Sequence, residues 1–135
     1  MKNLVLFIIL TGCFLAASCK KETQSENFKL LTGSSWISDS LLVNGTDASE
    51  PGGLLYKFKG EARFNADYTG TFGVYSGTWR FAAGETQLVI ASDSLPIPQL
   101  TTNIVELTAL SLKITTSFPI IGSDPLNIRM TFKAK

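Results

Sequence analysis

Residues 54–65, LLYKFKGEARFN, alternate with a period of two. Leu54, Tyr56, Phe58, Gly60, Ala62 and Phe64 share one parity; Leu55, Lys57, Lys59, Glu61, Arg63 and Asn65 share the other. Successive side chains of a strand point to opposite faces, so this spacing predicts one long strand with an apolar and a polar face. Gly60 falls mid-run on the apolar side, where a glycine marks a sharp bend or a barrel corner. The same period runs through LSLKITT, where Leu110, Leu112 and Ile114 oppose Ser111, Lys113 and Thr115. It returns in LNIRMTF, where Leu126, Ile128, Met130 and Phe132 oppose Asn127, Arg129 and Thr131. Weaker strand patterns cover 35–43, 68–75, 77–81, 86–91 and 102–107, which makes about eight strands.

Turn chemistry separates these runs. Asn44-Gly45 and Pro51-Gly52-Gly53 flank the first long loop, and Asn65-Ala66-Asp67 makes a tight reversal. Ser76-Gly77 and Ala83-Gly84-Glu85 read as hairpin turns. Pro96 and Pro98 interrupt pairing. Connections this short join antiparallel neighbours, because a parallel crossover needs a dozen residues or more. One helical turn is predicted, capped by Ser25, running through Phe28 and Leu31 and stopped at Gly33. The expected fold is all-β, an antiparallel up-and-down barrel of about eight strands over residues 28–135, with a β-sandwich as the alternative. A closed barrel leaves no exposed edge. The cysteine pair around a tryptophan, expected of an immunoglobulin-type sandwich, is missing.

The amino-terminal pattern is different. Lys2 is followed by LVLFIIL, then TGCFLAAS, then Cys19. A short basic start, an apolar stretch and small residues before a cut describe a secretory signal peptide. The apolar stretch 4–17 has 14 residues, short of the roughly 20 that span a bilayer; a retained anchor is the alternative. LAASC, ending at Cys19, and LTGC, ending at Cys13, both resemble a bacterial lipobox, in which small residues precede an acylated cysteine. Cys13 is followed by apolar FLAAS and Cys19 by polar KKETQSEN, which suits a surface tether. Cys19 is therefore the expected lipidation site. The expected organisation is a signal peptide over 1–18, a lipidated cysteine and polar tether over 19–27, and the barrel. Cys13 leaves with the leader, and the mature domain then has no thiol and no disulfide. As a flexible coil the tether spans on the order of 16 Å, which sets the domain close to the bilayer.

Composition removes several functions. Histidine is absent, and with it the commonest general base and zinc ligand. Losing Lys2, the only charge before Cys19, brings the basic count from 12 to the acidic count of 11. A balanced domain gives no electrostatic case for nucleic acid. Nine acidic residues lie in the domain, most in loops or turns, where solvated side chains rather than a two-carboxylate catalytic pair are expected. No Ca²⁺-loop spacing and no phosphate-loop motif appears. No enzyme activity and no cofactor is expected.

The run FNADYTGTF…SGTWRF, residues 64–81, resembles the lipocalin-like lipoproteins of the Bacteroidetes. In that family an aromatic residue, a turn with Asp and Gly, and a threonine precede a Gly-x-Trp strand. Gly77-Thr78-Trp79 matches the last element, and Phe64, Asp67, Thr69 and Gly70 match the first, with Tyr68 where glycine is usual. LTGSSW resembles the family's first strand, and the CKKE start resembles that of lipoproteins from the same bacteria. The resemblance implies a calycin-type barrel, a multi-acyl (palmitate-type) anchor, and an internal cavity for a ligand.

Trp36, Tyr56, Phe58, Phe64, Phe72 and Trp79 are the candidate ligand-cavity residues, since these aromatics fall on apolar faces of the expected strands. An eight-stranded barrel is the size at which such rings either fill the interior or surround one small ligand, and both outcomes stay open. Leu95, Ile97 and Leu100, set among prolines, are the candidate rim loop, and a second apolar loop, SFPIIGSDP (117–125), either joins it or sits elsewhere. The expected function is a cell-envelope module, lipid-anchored and outer-membrane in location, that binds a small apolar or amphipathic ligand. The alternative is a packed barrel that works through its loops on a protein partner, as an inhibitor of an exported enzyme or an envelope-assembly subunit.

Overall fold

The computed structural model describes residues 24–135. Cys13, Cys19 and the expected signal peptide lie outside the described residues. The described residues begin with a helix, α1 (Glu26–Thr32). Ser25 caps it, its hydroxyl accepting from the Phe28 N–H at 3.1 Å, which satisfies one of the free donors of the first turn. Phe28 and Leu31, three apart, are buried, and Gly33 ends the helix. Glu26 and Asn27, expected in the tether, are helical.

Nine strands follow: β1 (Trp36–Val43), β2 (Thr46–Asp47), β3 (Glu61–Phe64), β4 (Thr69–Phe72), β5 (Tyr75–Ala82), β6 (Gln87–Ala91), β7 (Gln99–Leu107), β8 (Ser111–Phe118) and β9 (Leu126–Ala134). Each of β3 to β8 pairs antiparallel with the next in sequence, and β9 returns to β1. The result is a closed eight-stranded antiparallel barrel with β2 as an extra strand. The return pairing, Trp36↔Ala134 through Val43↔Ile128, excludes a sandwich.

The weakest seam lies between β1 and β3, which share only the pairs Trp36↔Ala62 and Ile37↔Glu61. It is reinforced at its end. The Ser38 N–H donates to the Gly60 carbonyl and the Gly60 N–H donates to the Ser38 hydroxyl, both at 2.9 Å. Beyond it, β2 takes over the free edge of β1 through a two-residue turn, Asn44-Gly45, with φ of 50° and 79°. Positive φ at both positions is the signature of a tight hairpin turn, where the sequence pattern predicts the flank of a long loop.

The predicted long strand 54–65 is corrected. Only Glu61–Phe64 is strand, and Tyr56–Phe58 is a single 3-10 turn. In that turn Leu55 and Phe58, three apart, are buried, while Leu54 and Tyr56 are exposed. A 3-10 turn repeats every three residues, so it brings Leu55 and Phe58 to one side. Gly60, with φ of 112°, then redirects the chain, and the period of two resumes with Ala62 and Phe64 inward.

Ser76-Gly77 is also corrected. The hairpin turn is Gly73-Val74, and Gly77 lies within β5. Glycine is required there because a Cβ would stand 1.9 Å from the Ala91 carbonyl oxygen on β6. Residues 99–101, expected in the rim loop, begin β7. Leu110, expected on an apolar strand face, is exposed in the β7–β8 turn.

Candidate functional site

The barrel has two unlike ends. One carries α1, the start of β1 and the turns 65–68, 83–86 and 108–110. There Phe28 packs against Trp79 (centroids 5.7 Å apart), Trp79 against Phe64 (5.9 Å) and Phe81 (5.4 Å), and Phe64 against Phe72 (5.3 Å). The indole N–H groups are both satisfied. Trp36 Nε1 donates to the Leu31 carbonyl and Trp79 Nε1 to the Asn65 carbonyl, each at 3.0 Å. Helix and rings together close this end.

The other end is open. Its rim is the loop 48–60, the Gly73-Val74 turn, the loop 92–98 and the loop 119–125. Between them lies a cavity of about 70 Å³ whose lining includes Leu55, Phe58, Tyr75, Leu95, Ile97 and Leu100. Phe118 and Ile128 complete its far wall. The ring of Phe58 sits 4.9 Å from that of Tyr75. The Val74 N–H donates to the Lys57 carbonyl at 2.9 Å, which fastens the β4–β5 turn to the 3-10 turn and holds that pair of rings together.

The local sequence explains the rim. Pro96 and Pro98 have no N–H to give a neighbouring strand, so the segment arches instead of pairing. Within the arch Leu95 and Ile97 are half-buried against the core, and both prolines are exposed. Leu100, the first inward residue of β7, is buried below them. Around this mouth stand exposed apolar side chains: Leu54, Val74, Ile120 and the fully exposed Ile121.

The six aromatic candidates separate. Trp36, Phe64, Phe72 and Trp79 are buried in the core, none of them more than 3 % exposed, and they are not among the residues that line the mouth cavity. Tyr56, which the corrected strand had placed on the inner face, is 45 % exposed on the outside of its 3-10 turn. Phe58 alone of the six lines the mouth. The three rim candidates, Leu95, Ile97 and Leu100, all do, and the second apolar loop joins them through Phe118. Sequence reasoning missed Leu54, Leu55, Tyr75 and Ile128 as lining residues. Leu55 was assigned to the polar face by a parity that the 3-10 turn breaks, and Tyr75 was the last residue of an expected strand.

The chemistry of the mouth is apolar. Among the described residues every buried side-chain nitrogen or oxygen has a partner; Thr102, for example, donates to the Leu88 carbonyl at 2.8 Å. Apart from Tyr75, the residues named in the lining carry hydrocarbon side chains, so shape and hydrophobic contact are what the mouth offers. Among the described residues no group of three or more His, Cys, Asp or Glu gathers to hold a metal ion. Among the described residues the carboxylates with lowered pKa lie at the surface and are held by neighbours: Asp47 by the Ser49 hydroxyl and N–H, Asp67 by those of Thr69, Glu61 by Lys135 and Arg63, and Glu106 by Ser111 and Lys113. No family model matches the chain, and no curated protein matches it.

Proposed function

We propose that this chain is a lipocalin-like lipoprotein of the bacterial cell envelope, held to the outer membrane through Cys19, whose barrel mouth takes the apolar end of a small amphipathic ligand. The mouth cavity carries this reading. It is lined by apolar side chains and is framed by loops that leave Leu54, Val74, Ile120 and Ile121 exposed around it. Its volume of about 70 Å³ is below the roughly 300–1,000 Å³ that envelops a whole drug-sized ligand. The ligand part bound is therefore an acyl-chain end or a single ring, and the polar remainder stays in water.

That small volume also favours a second reading. If the barrel interior is only core, the exposed Leu54, Val74, Ile120 and Ile121 are a contact surface for a protein partner, as in an inhibitor of an exported enzyme or an envelope-assembly subunit. Native mass spectrometry of the chain purified gently from its own membranes separates the two. A reproducible extra mass lost on denaturation supports the ligand reading. Bare protein that co-purifies with a second polypeptide overturns it in favour of the partner.

A further inference from the structure

The mouth and the start of the described chain are at opposite ends of the barrel. Gln24 and Ser25 border a groove with Ala66, Tyr68, Phe81 and Glu85, all at the helix-closed end. β9 enters at the mouth with Leu126 and leaves at the helix end with Ala134, eight residues later. At about 3.3 Å per residue and a tilt of roughly 35–45°, the two ends stand about 20 Å apart along the barrel axis. From Cys19 to Gln24 the chain has five peptide links, which reach at most about 18 Å fully extended.

We infer that the apolar mouth faces away from the membrane that holds Cys19 and takes a water-borne amphiphile, not a lipid of that bilayer. This rests on the reading of Cys19 as the anchor. With the anchor at the interface, an inverted barrel would need a tether longer than its axis, and this tether is shorter. The helix-closed end carries side chains suited to lie near the headgroups, since Tyr68 and Leu110 are half or more exposed there. Tyrosine, with an apolar body and a polar tip, suits an interface of that kind.

The test places one polarity-sensitive dye at each end of the acylated full-length protein, through Ala66→Cys or Ile121→Cys, both positions being exposed. The protein is reconstituted in phosphatidylcholine vesicles doped with headgroup or acyl-chain spin-labelled lipid. The expected result is several-fold quenching at position 66 by the headgroup label and none at 121 by either. Quenching at 121, alone or together with 66, would overturn the inference. Quenching at neither, in protein that floats with the vesicles, would overturn it too, by removing the short tether on which it rests. An absent ligand mass in the purified chain would instead remove the ligand reading and leave the orientation standing, so the two failures are distinct.

Discussion

Tyr68 and Trp79 are joined twice: their ring centroids lie 5.0 Å apart, and the Trp79 N–H donates to the Tyr68 carbonyl at 2.9 Å. Tyr68 makes these contacts from a left-handed backbone, with φ of 67°. That conformation costs a residue with a side chain about 1–2 kcal/mol that glycine does not incur. The ring stays because it covers Phe28 and Trp79 at the helix-closed end, with centroids 5.6 Å from Phe28. A left-handed backbone position, which favours glycine, thus carries an aromatic lid at the expense of local strain.

Paired substitutions at this position separate lid from strain. Tyr68→Ala loses the ring and keeps the strain; Tyr68→Gly loses both. The glycine variant is expected to be more stable than the alanine variant by about 1 kcal/mol, read as the difference in urea unfolding midpoints at equal slope. Equal midpoints would mean that the turn relaxes when the ring is removed.

Trp79 is 2 % exposed and touches four other aromatic rings. Trp79→Ala should cost roughly 3–5 kcal/mol, as large-to-small changes of buried aromatics do. A loss under about 1 kcal/mol in the same unfolding experiment would show that the helix-closed end collapses onto the space.

Glu61 anchors the seam strand β3 electrostatically. Lys135, hydrogen-bonded to it at 2.8 Å, and then Arg63 lower its pKa from 4.5 to about 2. The folded state holds the carboxylate charged more strongly than the unfolded chain does. Its contribution is present in full above pH 4.5 and is lost as pH falls from there toward about 2. Because Lys135 is exposed and Glu61 only half-buried, salt screens the effect. Glu61→Gln is expected to flatten that part of the Tm-against-pH curve at low salt, and 1 M salt to flatten it in the unsubstituted protein. An unchanged slope in Glu61→Gln would assign the acid sensitivity to Asp47, Asp67 and Glu106, whose pKa values are also lowered.

Most of the wall was legible in the sequence because alternation is a local property. Leu112 and Ile114 in β8, and Ile128, Met130 and Phe132 in β9, face inward as their parity requires. The mouth was less legible because its geometry depends on contacts far apart in the chain. Parity carried the reading of a strand through Tyr56, but Leu55 N–H bonds the Ala48 carbonyl at 3.1 Å and Val74 N–H bonds the Lys57 carbonyl at 2.9 Å. Those bonds favour a 3-10 turn over pairing, and no pattern within residues 54–58 announces them. Gly77 misled for a related reason. A glycine beside a serine resembles a turn, but here it is the residue small enough to pass the Ala91 carbonyl. The aromatic set marked the core correctly as apolar, yet composition does not say which rings fill a barrel and which line its opening.

The anchor separates cleanly in a pair of variants. Cys19→Ala should abolish acylation and release the chain from membranes, while Cys13→Ala should leave both largely intact. Metabolic labelling with a clickable palmitate analogue, followed by membrane flotation, reads both properties. Acylation that survives Cys19→Ala would move the lipidation site to Cys13 and lengthen the tether by six residues.

Ile97 offers the sharpest test of the mouth. It is half-buried on an arched loop, beside the cavity and above Leu100, and the two flanking prolines fix its direction. A tryptophan there would fill a space of about 70 Å³ from the solvent side without entering the barrel. Ile97→Trp should therefore eliminate any co-purifying ligand mass while changing stability by no more than about 1 kcal/mol, as rim substitutions outside a packed core do. Phe58→Ala acts in the opposite sense, since it removes a ring from the cavity wall and widens it at a stability cost of roughly 3–5 kcal/mol. Native mass spectrometry of the two variants side by side decides the matter. Retention of the same bound mass in Ile97→Trp would place the ligand away from the mouth. Its loss from Ile97→Trp together with retention in Phe58→Ala would fix the mouth as the site.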